Sequence, residues 1–130
     1  MALFNWNRLG RPSTRARGLA AEDRALAHLQ AAGLSLVERN YRTPGRGGGE
    51  IDLVMHAPDG TLVFVEVRQR AHAAFGGAAA SVGWAKQRRV IFAARHYLQR
   101  LGSLPPCRFD VVALQGAGDT LSIQWIRGAF

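Results

Sequence analysis

The sequence predicts an α/β fold in which a mixed β-sheet is flanked by helices, in the order α-β-β-β-α-β-β. Apolar residues recur at helical spacing in two segments, 15–32 and 81–101. Runs of β-branched and aromatic residues, which are typical of strands, occur at 34–41, 50–57, 61–70, 108–114 and 121–126. Because a hairpin is followed by a helix and a further strand, we expect antiparallel and parallel neighbours in one sheet.

Turn and breaker residues mark the boundaries of these elements. Gly33 ends the first helix, and the Pro-Asp-Gly sequence at 58–60 is a short turn that joins the second and third strands as a hairpin. Two prolines at 105–106 separate the second helix from the fourth strand. The glycine-rich segment 43–49 predicts a flexible loop, because glycine carries little steric restriction.

The length of 130 residues fits one domain. We predict a mobile basic arm at 1–14 and a single domain at 15–130, with no linker that would separate two domains. No long apolar run predicts a transmembrane helix, and no signal peptide is recognisable, so we expect no membrane partner and a cytoplasmic location. The single cysteine, Cys107, excludes an internal disulfide bond.

A strong excess of basic residues indicates a polyanionic partner. Lysine and arginine together number 17 against nine acidic residues, which gives a formal net charge of +8. Such a surface attracts nucleic acid above all, although a general contribution to solubility is the alternative interpretation. Only one of the 17 basic residues is a lysine, Lys86, which lies on the apolar stripe of the second helix near its start.

One carboxylate occupies an apolar position in the first helix. Glu22 follows Leu19 by three residues and precedes Leu26 by four, so helical periodicity places it on the apolar stripe. A buried carboxylate needs a partner, which would be a cation, an arginine or a metal ion. The alternative is that Glu22 lies at the edge of the stripe and reaches water.

Two further carboxylates interrupt predicted strands. Asp52 lies in the second strand, on one face with Glu50 and Val54, and Glu66 interrupts the apolar third strand. Both are about seven residues from the centre of the turn, roughly the offset of a cross-strand pair. Either Arg68 neutralises this acid pair in a salt bridge, or the pair binds a divalent ion such as Mg²⁺, which prefers oxygen ligands. An acid pair in a basic protein fits phosphodiester hydrolysis.

These residues resemble a known nuclease motif. Glu50-Ile-Asp52 followed by Phe64-Val-Glu-Val-Arg68 is similar to the PD-(D/E)xK pattern of an acid, a hairpin and then acid-x-lysine. The wider pattern resembles the YraN-type family of uncharacterised bacterial proteins. The segments that carry this resemblance are Gly18–Glu22, Asn40–Arg42, Gly49–Leu53, Phe64–Arg70, Phe75–Gly76, Lys86 and Arg108–Val112.

The resemblance implies a restriction-endonuclease-like fold, similar to that of Holliday junction resolvases, and a Mg²⁺- or Mn²⁺-dependent nuclease acting on DNA rather than RNA. It assigns Glu22 as the acid of the first helix and places metal ligands at Asp52, Glu66 and the backbone carbonyl of Val67. The oligomeric state stays open, although resolvases of this fold often act as homodimers.

Arg68 departs from the pattern, because the family usually has lysine there. An arginine does not act as a base, but it stabilises developing negative charge through its N–H donors. Lys86 is a candidate to supply the missing lysine, and a catalytically inactive DNA-binding module is the alternative function. Candidate phosphate contacts are Arg70, Arg88, Arg89 and Arg95. Asp110 interrupts the fourth strand, and we expect it to pair with an arginine.

Overall fold

The computed structural model describes residues 14–70, 82–116 and 118–130. Its helices are α1 (Thr14–Ala31) and α2 (Trp84–Leu101), and a short 3₁₀ turn follows at Gly118–Thr120. Its strands are β1 (Ser35–Arg42), β2 (Glu50–His56), β3 (Leu62–Arg70), β4 (Cys107–Gln115) and β5 (Ser122–Ile126). The predicted N-terminal arm lies almost entirely outside the described residues.

The five strands form one sheet in the order β1-β2-β3-β4-β5. β1, β2 and β3 are antiparallel neighbours, and β5 is antiparallel to β4. The crossover through α2 makes β3 and β4 parallel. The predicted fold class is therefore confirmed, with the element order α-β-β-β-α-β-β. Among the described residues, neither helix is long and apolar enough to cross a membrane.

Each face of the sheet is covered by one helix. On one face, Ala25 and Leu29 of α1 pack against Met55 and Val65 of the hairpin. On the other face, Val90 and Tyr97 of α2 pack with Phe64 of β3. The hairpin strands thus contribute apolar side chains to both cores, so the centre of the sheet is buried on both faces.

The buried line of α1 differs from the predicted stripe. Ala21, Ala25 and Leu29 are its buried residues, whereas Leu19 is 41% exposed. Small alanine side chains let the helix approach the sheet closely, and the larger apolar residue at the N-terminal end of the stripe is left outside this contact. Glu22 follows Ala21 and therefore lies at the edge of the buried line.

The alternation of side chains along β1 and β2 reverses near Asp52. Asn40 has a positive φ of 55°, and its neighbours Arg39 and Tyr41 pair with Leu53 and Ile51. Leu53 belongs to the core under α1, whereas Ile51 belongs with Tyr41 to the core under α2. The simple alternation predicted for β2 is therefore wrong at this point, because the left-handed residue on β1 changes the direction in which both strands present their side chains.

Candidate active site

The acid pair lies where β2 and β3 separate. Their ladder ends at Leu53 paired with Val65, and continuing this register by one residue places Asp52 opposite Glu66. The Asp52 side chain turns into the gap, where its Oδ2 accepts a hydrogen bond from the Val67 backbone N–H at 2.8 Å. The predicted cross-strand relation therefore brings the two carboxylates together at the end of the hairpin ladder.

The backbone carbonyl of Val67 faces the same gap. In an extended strand the N–H and C=O of one residue point to the same side, and the Val67 N–H points to Asp52. Beyond Leu53 no residue of β2 pairs with β3. The gap therefore offers oxygen atoms from Asp52, Glu66 and the main chain at residue 67.

Lys86 reaches this gap from α2. Its Nζ lies 2.9 Å from Oε1 of Glu50 and 3.4 Å from Oε2 of Glu66, with 23% of its side chain exposed. The helix presents Lys86 on the same side as its buried residue Val90, one turn further along. The sequence placed Lys86 on the apolar stripe, and the structure brings its ammonium group to the carboxylates.

Glu66 is buried and carries an unsatisfied oxygen. The residue is 2% exposed, and its Oε2 has no hydrogen-bond partner although Lys86 lies within ion-pairing distance. Burial, and then the hydrogen bond and negative charge of Asp52, raise the pKa of Glu66 to about 9, against the opposing charges of Lys86 and Arg68. Without a further cation, Glu66 therefore holds a proton at neutral pH.

Glu50 and Lys86 form the charged partner pair of the site. The hydrogen bond from Lys86 lowers the pKa of the Glu50 carboxyl group, so Glu50 is ionised at neutral pH. Burial acts to lower the pKa of Lys86, but Glu50, Glu66 and Asp52 together outweigh it and raise that pKa. Lys86 is therefore a charged donor rather than a neutral amine. Glu50 was missed as a site residue from the sequence, although its position two residues before Asp52 was a signal.

Glu22 has an arginine as its partner. Its Oε1 lies 3.3 Å from Nε of Arg39, whose Nη2 is 2.7 Å from Oδ1 of Asp23. Burial, followed by the charge of Asp52, raises the pKa of Glu22, while Arg39 and Asn40 oppose the rise. Glu22 thus lies near enough to Asp52 to feel its charge. Within the described residues, no group of three or more histidine, cysteine, aspartate or glutamate side chains is arranged to hold a metal ion.

The two ends of the glycine-rich loop between β1 and β2 are joined by hydrogen bonds. Thr43 accepts a hydrogen bond at its Oγ1 from the Gly49 N–H at 2.7 Å and donates its own N–H to the Gly49 carbonyl at 3.0 Å. With Arg42, Glu50 and Arg89 the loop lines a cleft of about 520 Å³. Two guanidinium groups therefore flank a passage that ends at Glu50, the partner of Lys86.

A second cleft opens on the α1 side of β1. It has a volume of about 480 Å³ and is lined by Arg15, Gly18, Leu19, Glu22, Asn40 and Arg42. Arg42 lines both clefts, so an arginine lies beside Glu50 in one cleft and beside Glu22 in the other. Arg42 was not among the predicted phosphate contacts, although it directly precedes the glycine-rich loop.

The four predicted phosphate contacts have different surroundings. Arg89 lines the cleft beside the glycine-rich loop, and Arg88 lies over the exposed Trp84 ring at 4.7 Å. Arg95 lines a groove near the C-terminal end of α2. Arg70 is half-buried at the end of β3. The structure therefore places Arg89 in one cleft with Glu50 and the other three arginines elsewhere.

The expectation for Asp110 is confirmed. Its carboxylate lies 3.1 Å from Nε of Arg108 and also accepts hydrogen bonds from the Trp125 indole N–H at 2.9 Å and the Gly128 N–H at 3.0 Å. This buried aspartate joins β4 to β5 and to the segment after it, and it takes no part in the acid pair.

The fold and the site together define a small α/β protein whose mixed sheet holds buried Glu66 opposite half-buried Asp52, with a lysine beside them and arginine-lined clefts nearby. Residues 21–114 match the family described as Uncharacterised protein family UPF0102, and the chain belongs to this family. The family resemblance inferred from the motifs is thus confirmed.

Curated relatives match over most of their length. A UPF0102 protein of Paracidovorax citrulli is 67% identical over 118 residues, covering 91% of this chain and 84% of the relative. One from an Acidovorax species is 66% identical and covers 91% and 86%. One from Verminephrobacter eiseniae is 69% identical over 114 residues and covers 88% and 77%.

Proposed function

We propose that this protein is a metal-dependent nuclease that hydrolyses phosphodiester bonds, in DNA rather than RNA. The observation that carries the proposal is the position of Lys86, whose Nζ lies 2.9 Å from Glu50 and 3.4 Å from Glu66 in the gap that Asp52 lines. An acid pair with a lysine beside it, bordered by arginines, supplies both the ligands and the positive charge that phosphodiester hydrolysis requires.

The donor set fits Mg²⁺ or Mn²⁺. Glu66 Oε2 is buried without a hydrogen-bond partner, which is an incomplete arrangement that a cation would complete. Asp52, Glu66 and the Val67 carbonyl would hold the ion, and the remaining ligands would be water and substrate phosphate, as is common for Mg²⁺. The bound ion would polarise the phosphate and favour ionisation of the attacking water.

Charge balance explains why lysine is needed at this position. Without a metal, Glu66 keeps a proton, since its pKa is about 9. Metal ligation requires the ionised carboxylate, so binding releases that proton, and Lys86 limits the cost because its charge opposes the repulsion between Glu66 and Asp52. Lys86 and Arg68 then remain as donors for the negative charge that develops on the phosphate.

The arginines of the clefts supply the binding surface. Arg42 and Arg89 flank the cleft that leads to Glu50. Both side chains are exposed, Arg42 while it is ion-paired with Glu50 at 3.7 Å, so the sugar–phosphate backbone can reach both guanidinium groups. Such contacts position a strand without reading its sequence.

Cleavage assays test the proposal directly. Labelled single-stranded, duplex and four-way-junction DNA, and matching RNA, are incubated with the protein in millimolar Mg²⁺ or Mn²⁺. We expect divalent-dependent cleavage of DNA, which Asp52→Asn and Lys86→Met each reduce by about 100-fold or more. The matched acid-to-amide control is Asp119→Asn, because Asp119 is exposed in the 3₁₀ turn. Cleavage that is equal in Asp52→Asn and wild type would refute the site.

A DNA-binding module without catalysis is the second candidate, and Arg68 favours it, because arginine occupies the lysine position of the motif. This alternative predicts salt-dependent DNA binding by the wild type with no cleavage in any divalent ion. It fails if the wild type and Arg68→Lys both cut DNA efficiently.

A further inference from the structure

The outer face of α2 carries an exposed row of aromatic and arginine side chains. Trp84 is 71% exposed and Phe92 is 51% exposed, although both are large apolar residues. Arg88 lies between them in sequence with its guanidinium 4.7 Å from the Trp84 ring centre, and Arg95 follows one turn after Phe92. We call Trp84, Arg88, Phe92 and Arg95 the aromatic–arginine stripe.

Helical geometry places these four residues on one face. At about 100° per residue, positions 84, 88, 92 and 95 fall within a sector of about 80°. The buried residues Val90, Ala93 and Tyr97 lie on the opposite side, together with the inward-pointing Lys86. The stripe is therefore separate from the acid pair and is not needed to hold α2 on the sheet.

The charge of α2 indicates which class of ligand would bind to the stripe. The helix contains Lys86, Arg88, Arg89, Arg95 and Arg100, and it contains no aspartate or glutamate. A surface on which aromatic rings alternate with guanidinium groups matches single-stranded nucleic acid, whose bases stack on rings while its phosphates pair with arginine. In duplex DNA the bases are already stacked on one another and do not offer their faces to such a surface.

We propose that the aromatic–arginine stripe binds an unpaired DNA segment, so that the substrate of the neighbouring site contains single-stranded DNA. Arg89 lies between the stripe and the inward face of α2 and lines the cleft that leads to Glu50. A strand held on Trp84 and Arg88 thus has a basic route around the helix to the acid pair. This inference rests on the proposed function for the act of cleavage, but binding to the stripe is independent of it.

Fluorescence anisotropy with labelled oligo-dT of about 20 nucleotides, and with a duplex of the same length, tests the stripe. The measurements use Asp52→Asn protein in EDTA, so that no cleavage intervenes. We expect oligo-dT to bind more tightly than the duplex, and Trp84→Ala and Phe92→Ala each to weaken oligo-dT binding about tenfold. Trp84→Phe should retain most of the affinity, because a ring remains for stacking.

The control is Val37→Ala, which shortens an apolar side chain that is 47% exposed on β1, away from the stripe. Thermal melts verify that every variant folds. The proposal is overturned if Trp84→Ala binds oligo-dT as the wild type does, if duplex binding falls equally, or if the stripe proves to be a self-association surface by light scattering. If the wild type binds oligo-dT through the stripe but cleaves no DNA, the nuclease proposal is refuted and the stripe proposal is supported. If it cleaves DNA without preferring single strands, the nuclease proposal is supported and the stripe proposal is refuted.

Discussion

At the scale of single residues, the unusual feature is a glutamate that is costly to ionise. Glu66 is 2% exposed, it lies opposite Asp52, and its pKa is raised to about 9 by burial and then by the hydrogen bond and charge of that neighbour. Glu50, which shares Lys86 with Glu66, has the opposite behaviour, because the Lys86 ammonium lowers its pKa. The pKa values of these two glutamates, which lie on adjacent strands, are thus shifted in opposite directions.

These shifts predict a stability change for Glu66→Gln. In the metal-free protein the folded state holds a proton on Glu66 that the unfolded state loses above pH 4.5, so stability falls as the pH rises from about 5 to 9. The glutamine cannot ionise, so Glu66→Gln should be more stable than wild type at pH 8, by more than about 1 kcal/mol. Urea denaturation in EDTA across this pH range measures the difference.

Glu50→Gln is the matched control with the opposite sign. Because the folded pKa of Glu50 is lowered, its ionised form contributes stability that is present above its unfolded pKa and is lost as the pH falls through the folded pKa. Glu50→Gln should therefore be less stable than wild type at neutral pH, and the difference should shrink in acid. If Glu66→Gln and Glu50→Gln both destabilise the protein at pH 8, the raised pKa of Glu66 is refuted.

At the scale of elements, the contact between the glycine-rich loop and α2 is the closest in the site. A Cβ atom at Gly49 would lie 2.0 Å from the Arg89 carbonyl oxygen and 3.0 Å from the Ala93 backbone nitrogen. Only glycine allows the start of β2 to lie this close to the helix that carries Lys86. The distance from Lys86 to Glu50 depends on this approach.

The close approach predicts the effect of Gly49→Ala. The added methyl group must push β2 and α2 apart, so we expect a loss of about 1–3 kcal/mol in the free energy of unfolding. Gly18→Ala is the matched control, because nothing lies within 4 Å of a Cβ at this helical position in α1. There alanine should stabilise by about 0.5–1 kcal/mol. Urea denaturation compares the two, and an unchanged midpoint in Gly49→Ala would contradict this close contact.

At the scale of the whole molecule, a strongly basic chain contains a small acidic site. The net charge is +8, yet the two clefts that share Arg42 also contain Glu50 and Glu22, the acidic neighbours of the acid pair. Basic clefts would hold the substrate backbone while the acidic gap between them would hold the metal. In the proposed nuclease, this separation would limit repulsion between the carboxylates and the substrate.

The salt dependence of DNA binding should show whether Arg42 and Arg89 contact phosphates. Each phosphate contact releases counterions, so Arg42→Gln and Arg89→Gln should each reduce the slope of log affinity against log salt by about one. Arg127→Gln is the control, because Arg127 stacks on Trp125 after β5, at the opposite edge of the sheet from β1. Titrations of labelled duplex DNA at several salt concentrations provide the slopes. Equal slopes for all four proteins would show that the clefts do not hold DNA.

Local pattern was enough to predict much of this arrangement. The element order, the hairpin and the approach of Asp52 to Glu66 follow from periodicity and from the length of one turn, because these relations span few residues. The partner of Asp110 was likewise expected to be an arginine, and Arg108 lies two residues away. Side chains that are neighbours along a strand or across a short turn have few alternative positions.

The sequence by itself thus determined the α/β class, the strand order of the hairpin and the family. Only the tertiary structure decided that Arg39 is the partner of Glu22, that side-chain alternation reverses beside Asp52, and that Lys86 reaches Glu50 and Glu66. These contacts join residues that are far apart in the chain. They depend on the rotation of each helix and on its distance from the sheet. Local periodicity does not determine either quantity, because both depend on how side chains of different sizes pack, as at Gly49, where the absence of a side chain lets α2 come close.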